Sequence, residues 1–228
     1  MLKLHILKPS VNSMAVRVFV RGAGLEVSEI DAWGHTRSPE YLAKCPAHMT
    51  PMLEDEGLPR GALWESGAIM QYLCNKHGLD RFYPADPGRR AMVDSALLYQ
   101  TGTLYPLVSR ATYPVLGFPA YPGEVGASDA GDAEKRRAQQ AAIDAIAVPL
   151  DVFRSFFIGK DTFIGGAHPS IADIRLAATL EFLGAIAYAM PAWTKTWLAA
   201  MESTLGKAYT EPAADVRGYI RHVKSKPA

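Results

Sequence analysis

The spacing of apolar residues changes near residue 81, and no other feature of this 228-residue chain restricts its fold as much. Before that point, short apolar runs of strand length alternate with segments whose apolar residues recur at helical spacing. After it, every periodic segment has helical spacing. Short strands alternating with helices indicate a mixed sheet covered by helices, whereas a run of helices indicates a helical layer. We therefore predict an α/β domain followed by an all-α domain.

The first half of the chain predicts the element order βαβαββα. Residues 81–88 carry the proline and glycine residues of a linker. The expected domains are therefore residues 1–80 and 89–228, joined by that linker. The expected strands and helices of the first domain are, in chain order, Leu2–Leu7, Asn12–Gly24, Glu26–Ile30, Ser38–Lys44, Pro51–Glu54, 60–64 and Glu65–Lys76.

The second half predicts only helices, at Arg89–Val115, Glu134–Phe157, Ile171–Tyr188 and Pro191–Leu205, with a weaker signal near 216–222. A segment rich in Gly, Pro and Ala, residues 117–131, separates the first two helices. Loops of that length inside a compact domain are usually functional. We expect this loop to shape access to an apolar pocket.

Composition and charge favour a cytoplasmic globular protein. The chain is 49% hydrophobic and 21% charged, which is ordinary for a soluble domain, and its net charge of +1 does not favour nucleic acid as a partner. No apolar run reaches the roughly 18 to 20 residues of a membrane span, and the first residues lack the apolar core of a signal peptide. The six histidines and two cysteines show no metal-ligand spacing, so we expect no metal.

Residues 48–73 carry the strongest indication of a binding site. The bond Thr50-Pro51 precedes a strand, and a strand held at such a bond, above all a cis bond, offers its backbone edge to an extended ligand. Glu65 and Ser66 then begin an apolar helix, where free N–H groups can bind a carboxylate and the glutamate can accept from an ammonium. Glutathione carries both groups and a peptide backbone. The alternative is an edge strand followed by an ordinary acidic helix cap.

Asn12 and Ser13 lie between the first strand and the first helix, where two roles are open. One of them can cap the helix. Alternatively, a donor at a helix start, together with the partial positive charge there, stabilises a ligand's thiolate and lowers the pKa of its thiol. Because glutathione brings its own nucleophile, such a site needs no cysteine, metal or Ser-His-Asp set from the protein.

Two further groups of residues are singled out in the helical half. Ser170 and Asp173 have the spacing of a capping box at the start of an apolar helix, so we assign them a structural role and not acid/base chemistry. Tyr105, Tyr113 and Phe118 recur along one helix and into the loop that follows. One role open to them is packing in the core, which is expected for most of them; the other is an aromatic wall beside the tip of the first strand, where an apolar electrophile would lie.

Five segments resemble, in the same order, those of the cytosolic glutathione transferases, most of all the delta and theta-related classes. The resemblance covers essentially the whole chain. It implies a thioredoxin-like first domain, an all-helical second domain, glutathione as co-substrate, a homodimer and a role in detoxification. The five segments are KCPAHMTPML at 44–53, ALWESGAIMQYL at 62–73, RFYP at 81–84, GTLYP at 102–106 and SIAD at 170–173.

The resemblance also implies roles for single residues. Ser13, four residues before Arg17, takes the place of the serine that stabilises the thiolate, with Asn12 as the alternative and Ser10 as a third candidate. Gly67 stands where delta members often carry an arginine, which removes one possible contact to the ligand. The residues expected to contact glutathione are Ser10, His35, His48, Met49, Thr50, Pro51, Glu65 and Ser66.

Three functions are compatible with these patterns. The first is conjugation of glutathione to small hydrophobic electrophiles. The second is another glutathione-dependent reaction on the same scaffold, such as dehalogenation, ether cleavage, isomerisation or peroxide reduction. The third is ligand binding without catalysis. Because one scaffold supports many reactions, the residues of the site have to decide among them.

Overall fold

A computed structural model describes residues 1–119 and 131–226. Most of the loop predicted at 117–131, and the last two residues of the helical domain, lie outside the described part. The first domain has the predicted order of strands and helices. Its elements are β1 (Leu2–Ile6), α1 (Val11–Gly22), β2 (Val27–Asp31), α2 (Pro39–Lys44), β3 (Met52–Glu54), β4 (Ala62–Trp64) and α3 (Ser66–His77).

The four strands form one mixed sheet in the order β2-β1-β3-β4. β1 runs parallel to β2 and antiparallel to β3, which is antiparallel to β4. Side chains alternate along β1, so that Leu4 and Ile6 belong to the main core with α1 and α3. His5 instead contacts Tyr41 of α2, and a second small cluster packs beneath that helix. The sheet therefore has α1 and α3 on one face and α2 on the other.

In the part of the second domain that the structure describes, the long elements are helices, and a turn region with one isolated β-bridge at Phe163 and Gly166 precedes Ser170. The helix predicted at Arg89–Val115 is divided by a π-helical turn at Gln100–Leu104, and the weak signal near 216–222 belongs to a helix of 18 residues. Its α-helices are α4 (Pro87–Tyr99), α5 (Tyr105–Leu116), α6 (Asp132–Ala145), α7 (Ala147–Val152), α8 (Ile171–Glu181), α9 (Ala192–Leu205) and α10 (Lys207–Lys224).

α8 is the central buried helix, and the predicted capping box begins it. Every residue from Ile171 to Leu180 is buried. The Ser170 hydroxyl accepts a hydrogen bond from the Asp173 N–H at 3.4 Å, and Asp173 accepts one from the Ser170 N–H at 2.8 Å. Asp173 also accepts from the backbone N–H groups of Ile164 and Gly165. The box therefore stabilises both the helix start and the loop before it.

Ion pairs hold the last helix against the first domain. The Arg17 guanidinium, almost fully buried in α1, lies 2.8 Å from Asp215 of α10 and 3.0 Å from Glu29 of β2. Arg21 pairs with Glu211 at 2.6 Å, one turn earlier on α10. Because α1 starts beside the end of β1, these pairs also position α10 relative to that edge of the sheet. Within the described residues, no helix combines the length and the apolar character that a membrane crossing requires.

Candidate functional site

The register of the sheet brings three of the predicted segments to one edge. His5 pairs with Met52, so the start of β3 lies beside the C-terminal end of β1 and the loop that leads to α1. Met52 also pairs with Trp64, so the residue pair that follows β4, Glu65-Ser66, lies next to Pro51. The start of α1, the Thr50-Pro51 bond and the start of α3 are therefore neighbours.

α1 begins at Val11 and is capped by Ser10, which lies two residues before Asn12 and three before Ser13. The Ser10 hydroxyl accepts a hydrogen bond from the Ser13 N–H at 3.3 Å. Ser10 is half-buried, and the first turn of α1 contains no acidic residue. The partial positive charge of the helix start is thus not offset by a carboxylate in that turn, which suits an anionic ligand atom.

Ser13 does not have the exposed position that thiol activation requires. Its side chain is fully buried, and its hydroxyl accepts a hydrogen bond from the Leu7 N–H at 3.2 Å, at the end of β1. Because the helix starts at Val11, the first turn directs Ser13 toward the sheet. The geometry therefore does not favour the role expected for Ser13 from its spacing to Arg17, and Ser10 is the more accessible serine at this helix start.

Asn12 belongs to a contact between the two domains. Its side-chain amide donates a hydrogen bond to the Tyr105 hydroxyl at 2.8 Å, and that hydroxyl lies 2.7 Å from the Tyr113 hydroxyl. The Tyr113 ring in turn contacts Phe118, with centroids 5.4 Å apart. The structure thus joins the three predicted wall residues to the start of α1. Tyr105 itself is buried, with Arg175 stacked over its ring at 4.7 Å, so its hydroxyl end is the part directed to Asn12 and Tyr113.

The segment before β3 has unusual backbone geometry and is held from below by α2. The Thr50-Pro51 bond is cis, and His48 has a φ of 46°. The Tyr41 hydroxyl donates to the Met49 carbonyl at 2.6 Å, and the Cys45 thiol donates to the same oxygen at 3.7 Å. Sequence reasoning missed Tyr41. The available signal was a tyrosine on the buried side of a short helix, because a buried phenol needs a hydrogen-bond partner.

The start of α3 is open to an anion. Glu65 precedes the helix with a φ of 72° and makes no capping hydrogen bond through its side chain. A non-glycine residue in this region of backbone conformation costs about 1–3 kcal/mol and is concentrated at functional sites. Glu65 is exposed and Ser66 is buried beside it. The first N–H groups of α3 therefore have no side-chain cap from Glu65, and the carboxylate of Glu65 remains available to a cation.

His35 lies away from these segments. It lines a groove of about 350 Å³ between α2 and the sheet, together with His5, Asp31, Ser38 and Lys44. The residues of the cis-proline segment and of the α3 start are not among those that line this groove. The expected contact of His35 with the ligand thus finds no support in the geometry.

The protein's own thiols lie inside the structure, and that of Cys74 is a poor nucleophile. Cys45 and Cys74 are both buried, and burial raises the pKa of Cys74 to about 12. A thiol with so high a pKa holds almost no thiolate near neutral pH. No cluster of three or more His, Cys, Asp or Glu side chains suited to a metal ion occurs in the ranges 1–119 and 131–226.

Comparison with known proteins gives a consistent result. The family model for the N-terminal domain of glutathione S-transferases matches residues 1–75. Glutathione S-transferase D7 of Drosophila melanogaster is 29% identical over 174 residues, which are 74% of this chain and 69% of that protein. A delta-class glutathione transferase of Nilaparvata lugens is 26% identical with a TM-score of 0.74, over 98% of this chain and 100% of the other.

A human glutathione transferase theta-2, solved in complex with glutathione, shares the fold. It is 22% identical with a TM-score of 0.79, over 100% of this chain and 93% of the other. The resemblance seen in the sequence and the predicted fold class are confirmed by these findings. Residues 1–75 thus match the N-terminal domain of glutathione S-transferases, and the chain is similar over nearly its whole length to a delta-class glutathione transferase.

Proposed function

We propose that this protein conjugates glutathione, through its thiolate sulfur, to small hydrophobic electrophiles. The observation that carries the proposal is the meeting of three segments at one sheet edge: the half-buried Ser10 at the start of α1, the cis bond at Thr50-Pro51 and the uncapped start of α3. Each segment matches one part of glutathione. The family's members, among them a delta-class enzyme and a theta-class complex with glutathione, support the same ligand.

The γ-glutamyl end fits the start of α3. Its carboxylate would accept hydrogen bonds from the Ser66 hydroxyl and the first N–H groups of the helix, and its ammonium would pair with Glu65. The cysteinyl backbone would pair with Thr50, whose edge precedes β3. His48, exposed beside this segment, and Met49 are proposed to lie along the glycyl end.

Ser10 would then face the sulfur. Its hydroxyl oxygen already accepts from the Ser13 N–H, so its own proton can be donated to a thiolate. Together with the partial charge of the α1 start, this donor lowers the pKa of the bound thiol. The thiolate attacks the electrophilic carbon, the C–S bond forms, and the leaving group departs with the bonding electron pair. Tyr113 and Phe118, with Tyr105 behind them, are proposed to bound the electrophile's side of the site.

We also propose that the protein is a cytoplasmic homodimer that acts in detoxification. α4 presents Met92 and Leu98 to solvent, and Leu98 is 74% exposed. An exposed apolar helix face of this kind fits a symmetric interface between two copies. Light scattering at micromolar concentration should give twice the chain mass of 24.8 kDa.

Calorimetry with glutathione, followed by conjugation assays, tests the proposed reaction. We expect binding by the native protein at or below millimolar ligand, and about 10- to 100-fold weaker binding in Glu65→Gln and Ser66→Ala, because each loses a charge-assisted contact. Glu56→Gln, which changes an exposed glutamate in the turn before β4, is the matched control and should bind normally. A native protein that binds no glutathione at millimolar concentration would refute the proposal.

A further inference from the structure

Three aromatic side chains, of which only Phe118 has a part in the proposed reaction, form a contact between the two domains. Phe118 and Tyr219 stack with their rings almost parallel, at an angle of 3° and with centroids 5.5 Å apart. Trp33 contacts Tyr219 from the other domain, with centroids 6.5 Å apart and a tilt of 56°. We call Trp33, Phe118 and Tyr219 the aromatic shelf.

The shelf is held in place at several points. The Tyr219 hydroxyl donates to the Leu116 carbonyl at 2.9 Å, which ties α10 to the end of α5. The backbone N–H of Trp33 donates to the Asp31 carboxylate at 3.0 Å, which sets the turn after β2. The ion pair between Arg17 and Asp215 anchors α10, four residues before Tyr219. These bonds fix the Tyr219 side chain and the backbone that carries Trp33, and the indole of Trp33 contacts Tyr219.

Both ends of the shelf lie beside the start of α1. β1 and β2 are parallel, Ile6 pairs with Asp31, and the Ala32 N–H donates to the Ile6 carbonyl, so Trp33 follows β2 at the edge where the Ser10 loop leaves β1. At the other end, Phe118 contacts Tyr113, whose hydroxyl reaches Asn12 through Tyr105, as described above. The loop that contains Ser10 joins β1 to α1. The contacts lead from Trp33, at the end of the neighbouring strand β2, to Asn12, at the start of α1.

The indole of Trp33 is 55% exposed at this position. Large aromatic side chains at a binding site supply a flat contact surface at a small cost in conformational entropy, and they favour ligands that carry rings of their own. An electron-poor ring is the better partner for an electron-rich indole, because the two quadrupoles are then opposite. Aliphatic electrophiles gain only area burial from the same surface.

We propose that Trp33 is a specificity-determining residue that selects planar, electron-poor aryl electrophiles over alkyl ones; this rests on the function proposed above. With an aryl halide, the thiolate adds to the ring carbon that bears the halogen, the C–S bond forms, and halide leaves with the electron pair. The ring lies against the exposed face of Trp33 while its reacting carbon faces the sulfur held at Ser10.

Kinetics with two electrophiles test this assignment. Rates with chlorodinitrobenzene and with iodoethane are measured at saturating glutathione for the native protein, Trp33→Leu and Trp33→Phe. In Trp33→Leu, we expect kcat/KM for the aryl halide to fall by about 5- to 20-fold, while the value for the alkyl halide changes by less than about twofold. Trp33→Phe keeps a ring and should recover most of the loss. Equal losses with both substrates, or no loss with either, would overturn the assignment.

Product binding separates this proposal from the proposed reaction. Calorimetry compares S-dinitrophenylglutathione with S-methylglutathione, neither of which requires turnover. The native protein should prefer the dinitrophenyl ligand, and Trp33→Leu should reduce that preference by about 5- to 20-fold. If the native protein binds glutathione but conjugates neither halide, the reaction is refuted while this measurement still decides the role of Trp33. An unchanged preference in Trp33→Leu would reject that role.

Discussion

Tyr41 supports the cis-proline segment from α2, and its removal should weaken both the fold and glutathione binding. Its side chain is 5% exposed, and its hydroxyl donates to the Met49 carbonyl at 2.6 Å. Burial raises the pKa of the Tyr41 phenol above its usual value, so the group is a protonated donor near neutral pH. In Tyr41→Phe, the Met49 carbonyl retains the Cys45 thiol, a weak donor at 3.7 Å.

The expected loss follows from these contacts. A typical hydrogen bond contributes about 0.5–1.5 kcal/mol, and a buried carbonyl left under-satisfied costs about 1–3 kcal/mol. Because the Cys45 thiol offsets part of that cost, the free energy of unfolding should fall by about 1–2 kcal/mol. Thr50, which follows Met49, is proposed to pair with the cysteinyl backbone of the ligand. Loosening this segment should therefore raise the Kd for glutathione by about 3- to 10-fold.

Tyr72→Phe is the matched control for this measurement. Its hydroxyl donates to Asp55 at 2.8 Å, away from the cis-proline segment. Urea unfolding should show comparable losses of stability in the two variants, whereas calorimetry should show weaker glutathione binding only in Tyr41→Phe. The reasoning is refuted if Tyr41→Phe loses stability but keeps the native Kd, or if Tyr72→Phe weakens binding to the same extent.

Two further predictions concern stability. Asp173→Asn places an amide N–H₂ among groups that all donate hydrogen bonds. The free energy of unfolding in urea should therefore fall by about 2–4 kcal/mol, against about 0.5–2 kcal/mol for Ser170→Ala. Equal losses in the two variants would contradict the geometry. Burial opposes ionisation of Asp55, but hydrogen bonds from Lys76, the Gly57 N–H and Tyr72 outweigh it and lower the pKa of Asp55 to about 2. Because this folded pKa lies below the unfolded value of about 3.9, the stabilisation is present above pH 4 and is lost as pH falls toward 2. After allowance for solvent screening, Asp55→Asn should cost about 1–2 kcal/mol at pH 7 and less at pH 3, and a loss that does not change with pH would reject this assignment.

Local rules of sequence predicted much of the fold. The capping box at Ser170 and Asp173 depends on a spacing of three residues, and the order βαβαββα depends on the period of the apolar residues. The choice between Ser10 and Ser13 depends instead on where α1 begins. A helix that starts at Val11 directs the Ser13 side chain toward the sheet. The spacing between Ser13 and Arg17 does not show which residue begins the helix, and so does not show which way Ser13 points.

The contacts that sequence reasoning missed join residues from separate elements. Tyr41 and Met49 meet because α2 folds back beneath the segment before β3. Trp33 and Tyr219 meet because α10 packs on α1, beside the end of β2. Neither pair has a periodic or short-range signal, since each depends on how whole elements pack together.

The pKa of the bound glutathione thiol tests the central claim most directly, namely that Ser10 at the start of α1 activates the sulfur. Thiolate absorbance is followed against pH for the native protein, Ser10→Ala and Ser13→Ala, each saturated with glutathione. The native complex should titrate well below the value of about 8.5 for an ordinary thiol, and Ser10→Ala should titrate close to it, with turnover lower by roughly 10²-fold. Ser13→Ala should keep the native thiol pKa and lose only stability. A raised thiol pKa in Ser13→Ala together with an unchanged one in Ser10→Ala would contradict the claim.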